Sequence, residues 1–200
     1  MHFAWLPNAR RFIALVITMM EDAKKAPIKS DMIVMCGLSR IGKTTYVEKY
    51  YKNYYRIDSL RIHETINTLF KFLQDDRTVN GPAYMQRQLL TYLIRELVMK
   101  YALRHGRAIV CDSVNGTKEL RQKLIELGEK AGYMIEIIYI RRTNRNLFLD
   151  ILKQQDQEKI LQGREPAWRE LFDKQEQSFE PPTEDEGVVI TKNISSIEEI

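Results

Sequence analysis

Nine consecutive residues carry the most specific chemistry in this chain: Gly37, Leu38, Ser39, Arg40, Ile41, Gly42, Lys43, Thr44 and Thr45. The first eight fit G-x-x-x-x-G-K-[ST] at every fixed position. The apolar run Met32 to Cys36 precedes them, and a helical pattern from Lys43 to Lys52 follows. A strand before and a helix after is the context that gives this pattern its meaning. The glycines let the backbone turn so that its N–H groups converge on phosphate oxygens. The helix presents its positive N-terminus to the same anion. Lys43 is expected to reach the β- and γ-phosphates, and Thr44 to bind Mg²⁺. The stretch therefore reads as a nucleoside triphosphate site, with ATP and Mg²⁺ as cofactors.

Phosphoryl transfer needs an acceptor hydroxyl in line with the γ-phosphate, and often a carboxylate to take its proton. A candidate lies in Tyr55-Arg56-Ile57-Asp58-Ser59-Leu60-Arg61. If a helix begins near Ser59, Asp58 and Arg61 are three apart and share a face. Asp58 would then orient and deprotonate the hydroxyl, while Arg61 grips a neighbouring phosphate with its planar fork. The spacing fits a second reading equally well, in which Asp58 caps the helix and Arg61 is solvated. Other uses of the glycine loop fit less well. There is no guanine-reading Asn-Lys-x-Asp, since Thr191-Lys192-Asn193 runs in the wrong order, and 200 residues leave little room for a motor's coupling apparatus.

These residues must be positioned by alternating strands and helices. Strands are expected at Met32 to Cys36, Tyr54 to Ile57, Ala108 to Cys111, Tyr133 to Ile140 and Val188 to Thr191. Helices are expected at Lys43 to Lys52, Leu60 to Leu73, Tyr84 to His105, Lys118 to Lys130, Asn144 to Leu161 and Pro166 to Phe179. In the long helix Leu89, Leu93, Leu97 and Tyr101 repeat every four residues along one face. Thr117 is placed to cap the helix after the third strand, and Gly132 follows its end. Ser195-Ser-Ile-Glu-Glu has the form of a capping box opening a final helix. Such alternation predicts an α/β P-loop fold: a five-stranded parallel sheet sandwiched between helices, with ligands at the carboxyl ends of the strands. Residues 1–30 form an N-terminal extension with a short helix over Phe12 to Ala23 ended before Pro27. Residues 31–200 form the P-loop domain, with a helical lid at about 144–165.

Composition narrows the class. The chain is 44% hydrophobic and 29% charged, as in a soluble globular domain. The net charge of +4 hides an asymmetry: residues 1–150 carry 25 Lys+Arg against 15 Asp+Glu, and residues 151–200 carry 6 against 12. The basic portion contains the glycine loop, which fits a polyanionic ligand. Cys36 and Cys111 end apolar runs and read as buried thiols of a reducing compartment. The run Phe12 to Met20 is too short to span a bilayer, and acidic Glu21-Asp22 behind it argue against a signal peptide. A cytoplasmic protein that does not engage a membrane is expected. The three histidines are scattered and suggest no metal cluster.

Taken together, Gly37-x4-Gly42-Lys43-Thr44 and Asp58-x-x-Arg61 resemble the kinase domain of polynucleotide 5′-hydroxyl kinases. Ala108-Ile-Val-Cys-Asp112-Ser-Val-Asn115, the helix carrying Arg121, and Gly132-Tyr133 are similar to that family's third strand, helix and fourth strand. Phe179-Glu-Pro-Pro-Thr183-x-x-Glu186-Gly187 is similar to the segment leading into its last strand. The resemblance covers about residues 32–192. It implies Asp58 as general base, Arg61 on the acceptor phosphate, Lys43 with Thr44 on ATP–Mg²⁺, and Asp112 beside the loop near the metal or the acceptor, with Asn115 on the same segment toward the substrate. The implied acceptor is the 5′-OH end of DNA or RNA, and self-association is a further option. One part departs from the family. Its lid arginines fall on Asp150 to Lys159, which contains none; Arg141, Arg142 and Arg145 precede that stretch and Arg164 follows it, with Arg145 and Arg164 the candidates to clamp ATP. Two rival readings remain open at this stage: a kinase of a nucleoside, modified base or other small hydroxyl compound, and a non-catalytic ATP-binding switch or partner protein.

Overall fold

Apolar runs bounded by glycine or polar residues make five strands, and amphipathic segments between them make the helices. The structure is a computed structural model and describes residues 6–69, 82–144, 146, 148–150, 152–154, 157 and 168–195. The elements are α1 (Leu6–Lys24), β1 (Asp31–Cys36), α2 (Lys43–Tyr50), β2 (Tyr55–Asp58), α3 (Ser59–Leu69), α4 (Pro82–Arg104), β3 (Ile109–Asp112), α5 (Lys118–Lys130), β4 (Met134–Arg142), α6 (Trp168–Ser178), a 3₁₀ turn (Glu184–Glu186) and β5 (Val188–Ile194). Residues 146, 148–150, 152–154 and 157 are also helical. The sheet expected from the sequence is present: five parallel strands in the order β2-β3-β1-β4-β5. The Ser195 capping-box segment extends beyond the described residues. By contacts the chain divides into two compact units, Met1–Asp31 with Asn53–Cys111, and Met32–Lys52 with Asp112–Ile200.

In the first unit α4 packs on α3 and α1. Helix α1 begins at Leu6, earlier than the expected Phe12, because Pro7 is harmless in a first turn. It closes through the Lys25 and Ala26 N–H groups on the Asp22 and Ala23 carbonyls, just before Pro27. In helix α4 the face that repeats every four residues is not the buried one. Leu89, Leu93 and Leu97 lie exposed, and the buried face is Ile94, Val98, Met99, Ala102 and Leu103, joined by Arg87, Thr91 and Arg95. The helix carries apolar residues nearly all round. Its neighbours decided which set is buried, and spacing alone did not. Cys111 and Cys36 are both buried thiols and neither is in a disulfide, as expected.

In the second unit β1 is buried from Met32 to Cys36, with Met32, Val34, Met35 and Cys36 shielded from solvent. Strands β4 and β5 pair in parallel from Glu136 with Val188 to Arg142 with Ile194, so β5 runs three residues past its expected end. Helix α5 has the bounds read from the sequence: the Thr117 hydroxyl accepts the Leu120 N–H at 3.3 Å. Its buried Arg121 ties three segments together. Nε and Nη2 donate to the two Glu186 oxygens at 2.6 and 2.8 Å. Nη1 donates to the Glu180 and Asn115 carbonyls at 2.8 and 3.1 Å. Glu186 also accepts the Thr183 N–H at 3.0 Å, completing a capping box on the 3₁₀ turn. Burial pushes the Glu186 carboxyl up, but the Arg121 guanidinium and the Thr183 N–H outweigh it and hold it below its ordinary value.

Candidate active site

The glycine loop is shaped by two positions that only glycine fills comfortably. Gly37 has φ +140°, and a Cβ there would stand 2.6 Å from the Ile140 carbonyl oxygen of β4. Gly42 has φ +110° and is the N-cap of α2. Between them Arg40 takes φ 61°, a conformation a side chain resists. The loop is thus wrapped tightly before α2 starts with the Tyr46 N–H on the Gly42 carbonyl at 3.0 Å. This is the cradle that converging backbone N–H groups need if they are to hold phosphate.

Lys43 is buried at the start of α2. Its ammonium donates to the Gly37 and Leu38 carbonyls at 2.8 and 2.5 Å, within the loop. Burial pulls its pKa down to about 8, and Asp112 and the Cys36 thiol only partly oppose this. The sign matters for nucleotide binding. Phosphate favours the charged ammonium, so above pH 8 binding must be accompanied by proton uptake. Between pH 7 and 9 the charged fraction falls from about nine-tenths to about one-tenth, so ATP affinity is expected to drop about tenfold. Lys43→Arg stays charged and should flatten the dependence. Calorimetric titration of ATP at pH 7, 8 and 9 in buffers of different ionisation enthalpy reads both affinity and proton uptake. An affinity independent of pH in the unmodified protein would refute this.

The Thr44 hydroxyl donates to Asp112 Oδ2 at 3.0 Å, so a residue from the third strand's end stands against the loop. Asp112 is 5% exposed. A threonine hydroxyl and a carboxylate side by side are oxygen ligands suited to Mg²⁺, which binds few protein groups and takes the rest of its shell from phosphates and water. The residues therefore fit the nucleotide–Mg²⁺ pair read from the sequence. Among the described residues no group of three or more His, Cys, Asp or Glu is arranged to hold a metal unaided. Thr45 follows on α2, exposed.

Several contacts at the loop were not read from the sequence. The Ser39 N–H donates to the Gln175 carboxamide oxygen of α6 at 3.1 Å. Leu38 packs against a cluster of Phe148, Leu152 and Phe172, with the two phenyl rings edge to face at 5.1 Å. Arg142, at the end of β4, donates to the Ile41 carbonyl at 3.2 Å and lies over the Phe148 ring. Of the arginines around the expected lid, Arg142 is tied to the loop and Arg141 is exposed. Arg145 and Arg164 lie outside the described residues. Asn115 is turned inward: it has φ 43°, is 2% exposed, and donates from Nδ2 to the Met35 carbonyl at 2.7 Å. That bond braces the loop after β3 against β1.

Asp58 and Arg61 belong to the first unit. Asp58 ends β2 and caps α3: Oδ1 accepts the Leu60 and Arg61 N–H groups at 3.0 and 3.1 Å. Its Oδ2 accepts from Arg56 Nη2 at 2.7 Å. Arg61 is exposed. Along the seam between α3 and α4, Arg95 Nη1 donates to Ser59 Oγ at 3.5 Å, and the Thr91 hydroxyl lies 3.4 Å from His63 Nδ1. Burial, with the nearby Arg87 charge, lowers the His63 pKa.

No curated protein matches the chain. Among solved structures it is similar to a chain from the PezAT chromosomal toxin–antitoxin system of Streptococcus pneumoniae, at TM-score 0.61 and 15% identity. That match covers 76% of this chain and 65% of the other, so this chain spans less than two-thirds of that protein. It is also similar to a candidate kinase from Chloroflexus aurantiacus, at TM-score 0.62 and 17% identity over 87% of this chain and 91% of that one. At such identities the likeness concerns the fold, the P-loop α/β arrangement. Among the described residues no helix is long and apolar enough to cross a membrane. A family model described as an AAA domain matches residues 32–182, which include the loop, Asp58, Arg61 and Asp112, and the chain belongs to that family.

Proposed function

We propose that the protein is an ATP-dependent kinase that transfers the γ-phosphate to an alcohol, the 5′-OH end of a DNA or RNA strand. The observation that carries the reading is the loop itself: Lys43 at the head of α2, with Thr44 hydrogen-bonded to Asp112. In the proposed reaction the loop N–H groups and Lys43 hold the triphosphate and neutralise charge that develops on it. Mg²⁺ bound with the nucleotide, near Thr44 and Asp112, would add further charge neutralisation. Asp58 takes the proton of the acceptor hydroxyl, whose oxygen forms the new bond to phosphorus as the bond to the β–γ bridging oxygen breaks and ADP leaves. Arg61 binds a phosphate adjoining the acceptor hydroxyl.

The test is transfer of labelled γ-phosphate from ATP to a short oligonucleotide with a free 5′-OH, beside the same oligonucleotide already 5′-phosphorylated. Label on the first alone is expected, and DNA is then compared with RNA. Label on neither, with ATP still bound, would overturn the acceptor and direct attention to a small hydroxyl compound. ATP binding with no acceptor in any class would leave the nucleotide as a switch.

A further inference from the structure

Arg95 is nearly enclosed between α3 and α4, at 9% exposure, yet among the described residues it meets no carboxylate. Its contacts are a long hydrogen bond to Ser59 Oγ and the face of the Tyr92 ring, 5.5 Å away. A buried guanidinium is usually paired, because taking it out of water is costly and a partner charge offsets much of that cost. Among the described residues no carboxylate pairs with Arg95 to offset its charge. His63 and Arg87 lie along the same seam, where burial and, after it, the Arg87 charge lower the His63 pKa. Asp58, one residue before Ser59, has Oδ2 on Arg56 and Oδ1 on two backbone N–H groups.

We propose that Arg95 binds a phosphate group of the acceptor, so that the preferred acceptor is a phosphate-bearing alcohol and not a neutral one. The inference rests on the acceptor reading above, because Ser59, which Arg95 touches, directly follows Asp58. It also ranks the two arginines. Arg61 is exposed and must give up side-chain freedom to grip an anion. Arg95 is already held by Tyr92, Ser59 and the walls of both helices, so little ordering remains. Arg95 should therefore contribute more to acceptor selectivity than Arg61.

The experiment measures phosphate transfer to three acceptors: a nucleoside, the same nucleoside carrying a 3′-phosphate, and a 5′-hydroxyl oligonucleotide. Unmodified protein is compared with Arg95→Gln, Arg95→Lys and Arg61→Gln. Arg95→Gln is expected to raise KM for the two phosphate-bearing acceptors about tenfold, the loss of one charge-assisted bidentate contact. KM for ATP and for the bare nucleoside should stay within about twofold by the same argument. Arg95→Lys should recover part of the loss, and Arg61→Gln should do less harm. A response to the 3′-phosphate equal to that of the oligonucleotide assigns the site to one phosphate; a response confined to the oligonucleotide assigns it to the chain's backbone. Unchanged KM for both, or an equal rise in KM for ATP, overturns the proposal. If the unmodified protein labels none of the three, the acceptor reading has failed, and Arg95 is judged by thermal denaturation in inorganic phosphate with ATP and Mg²⁺ saturating. A phosphate-dependent rise in Tm that Arg95→Gln loses supports the site. The same rise in both proteins, or none in either, overturns it.

Discussion

Arg121→Met is expected to lower stability by about 3–5 kcal/mol, the usual cost of leaving a buried ion-pair partner without its counter-charge. Methionine fills much of the arginine's volume, so a cavity contributes little. What is lost is specific. Glu186 keeps the Thr183 N–H but loses both guanidinium bonds, and the Glu180 and Asn115 carbonyls lose their donor. Chemical denaturation at pH 7 reads the loss directly. The pH dependence supplies a second check. In the native pair the Glu186 pKa is depressed, so its contribution is present above the unfolded value near 4.5 and fades as pH falls through the folded one. The gap between Arg121→Met and the unmodified protein should therefore shrink below about pH 4.5. Adding Glu186→Gln to Arg121→Met removes the stranded charge and should restore part of the stability. A single variant with unchanged stability would show that the pair is dispensable.

The same brace explains how a site can depend on residues far from it in sequence. Arg121 and Glu186 are 65 positions apart, and their network reaches the Asn115 carbonyl and, at 3.8 Å, Cys36 Sγ, the residue before Gly37. Asn115 in turn fastens to Met35. The start of the glycine loop is thus fixed from beneath by a charged cluster that needs no ligand. Loosening it should degrade nucleotide binding without touching a nucleotide contact.

What was legible in the sequence was local. The glycine loop announces itself because its fixed positions reflect backbone geometry that only glycine meets at Gly37 and Gly42. Helix α5 was read correctly at both ends because Thr117 caps it and Gly132, at φ +76°, stops it. What was not legible was set by tertiary contacts. The Leu89, Leu93 and Leu97 stripe is as regular as the buried face of α4, and only packing on α1 and α3 distinguishes them. Gln175 and Arg142 reach the loop across long separations, 136 and 101 positions. No spacing rule relates such pairs. The Thr183-x-x-Glu186 pattern could have been seen as a capping box, but its glutamate was hidden by its second role, as the partner of Arg121.

Asp58 is where the sequence allowed two readings, and Asp58→Asn separates them. The carboxylate already has a structural role, since it caps α3 through Oδ1 and meets Arg56 through Oδ2. Asparagine is as good a cap as aspartate, because its side-chain oxygen accepts the same N–H bonds. The Arg56 pair is partly exposed, with side chains at 25% and 18% exposure, so its loss costs about 1 kcal/mol or less. The variant should accordingly fold and bind ATP like the unmodified protein. It cannot accept a proton from the acceptor hydroxyl. If Asp58 is the general base, kcat for transfer should fall by about 10²- to 10⁴-fold while KM for ATP changes little. Asp58→Ala removes cap and base together and should lower both turnover and stability, the latter by about 1 kcal/mol. Turnover of Asp58→Asn within a few-fold of the unmodified protein would mean that Asp58 only caps its helix. The base would then have to be sought elsewhere, and the assignment of the acceptor side to the end of β2 would lose its main support.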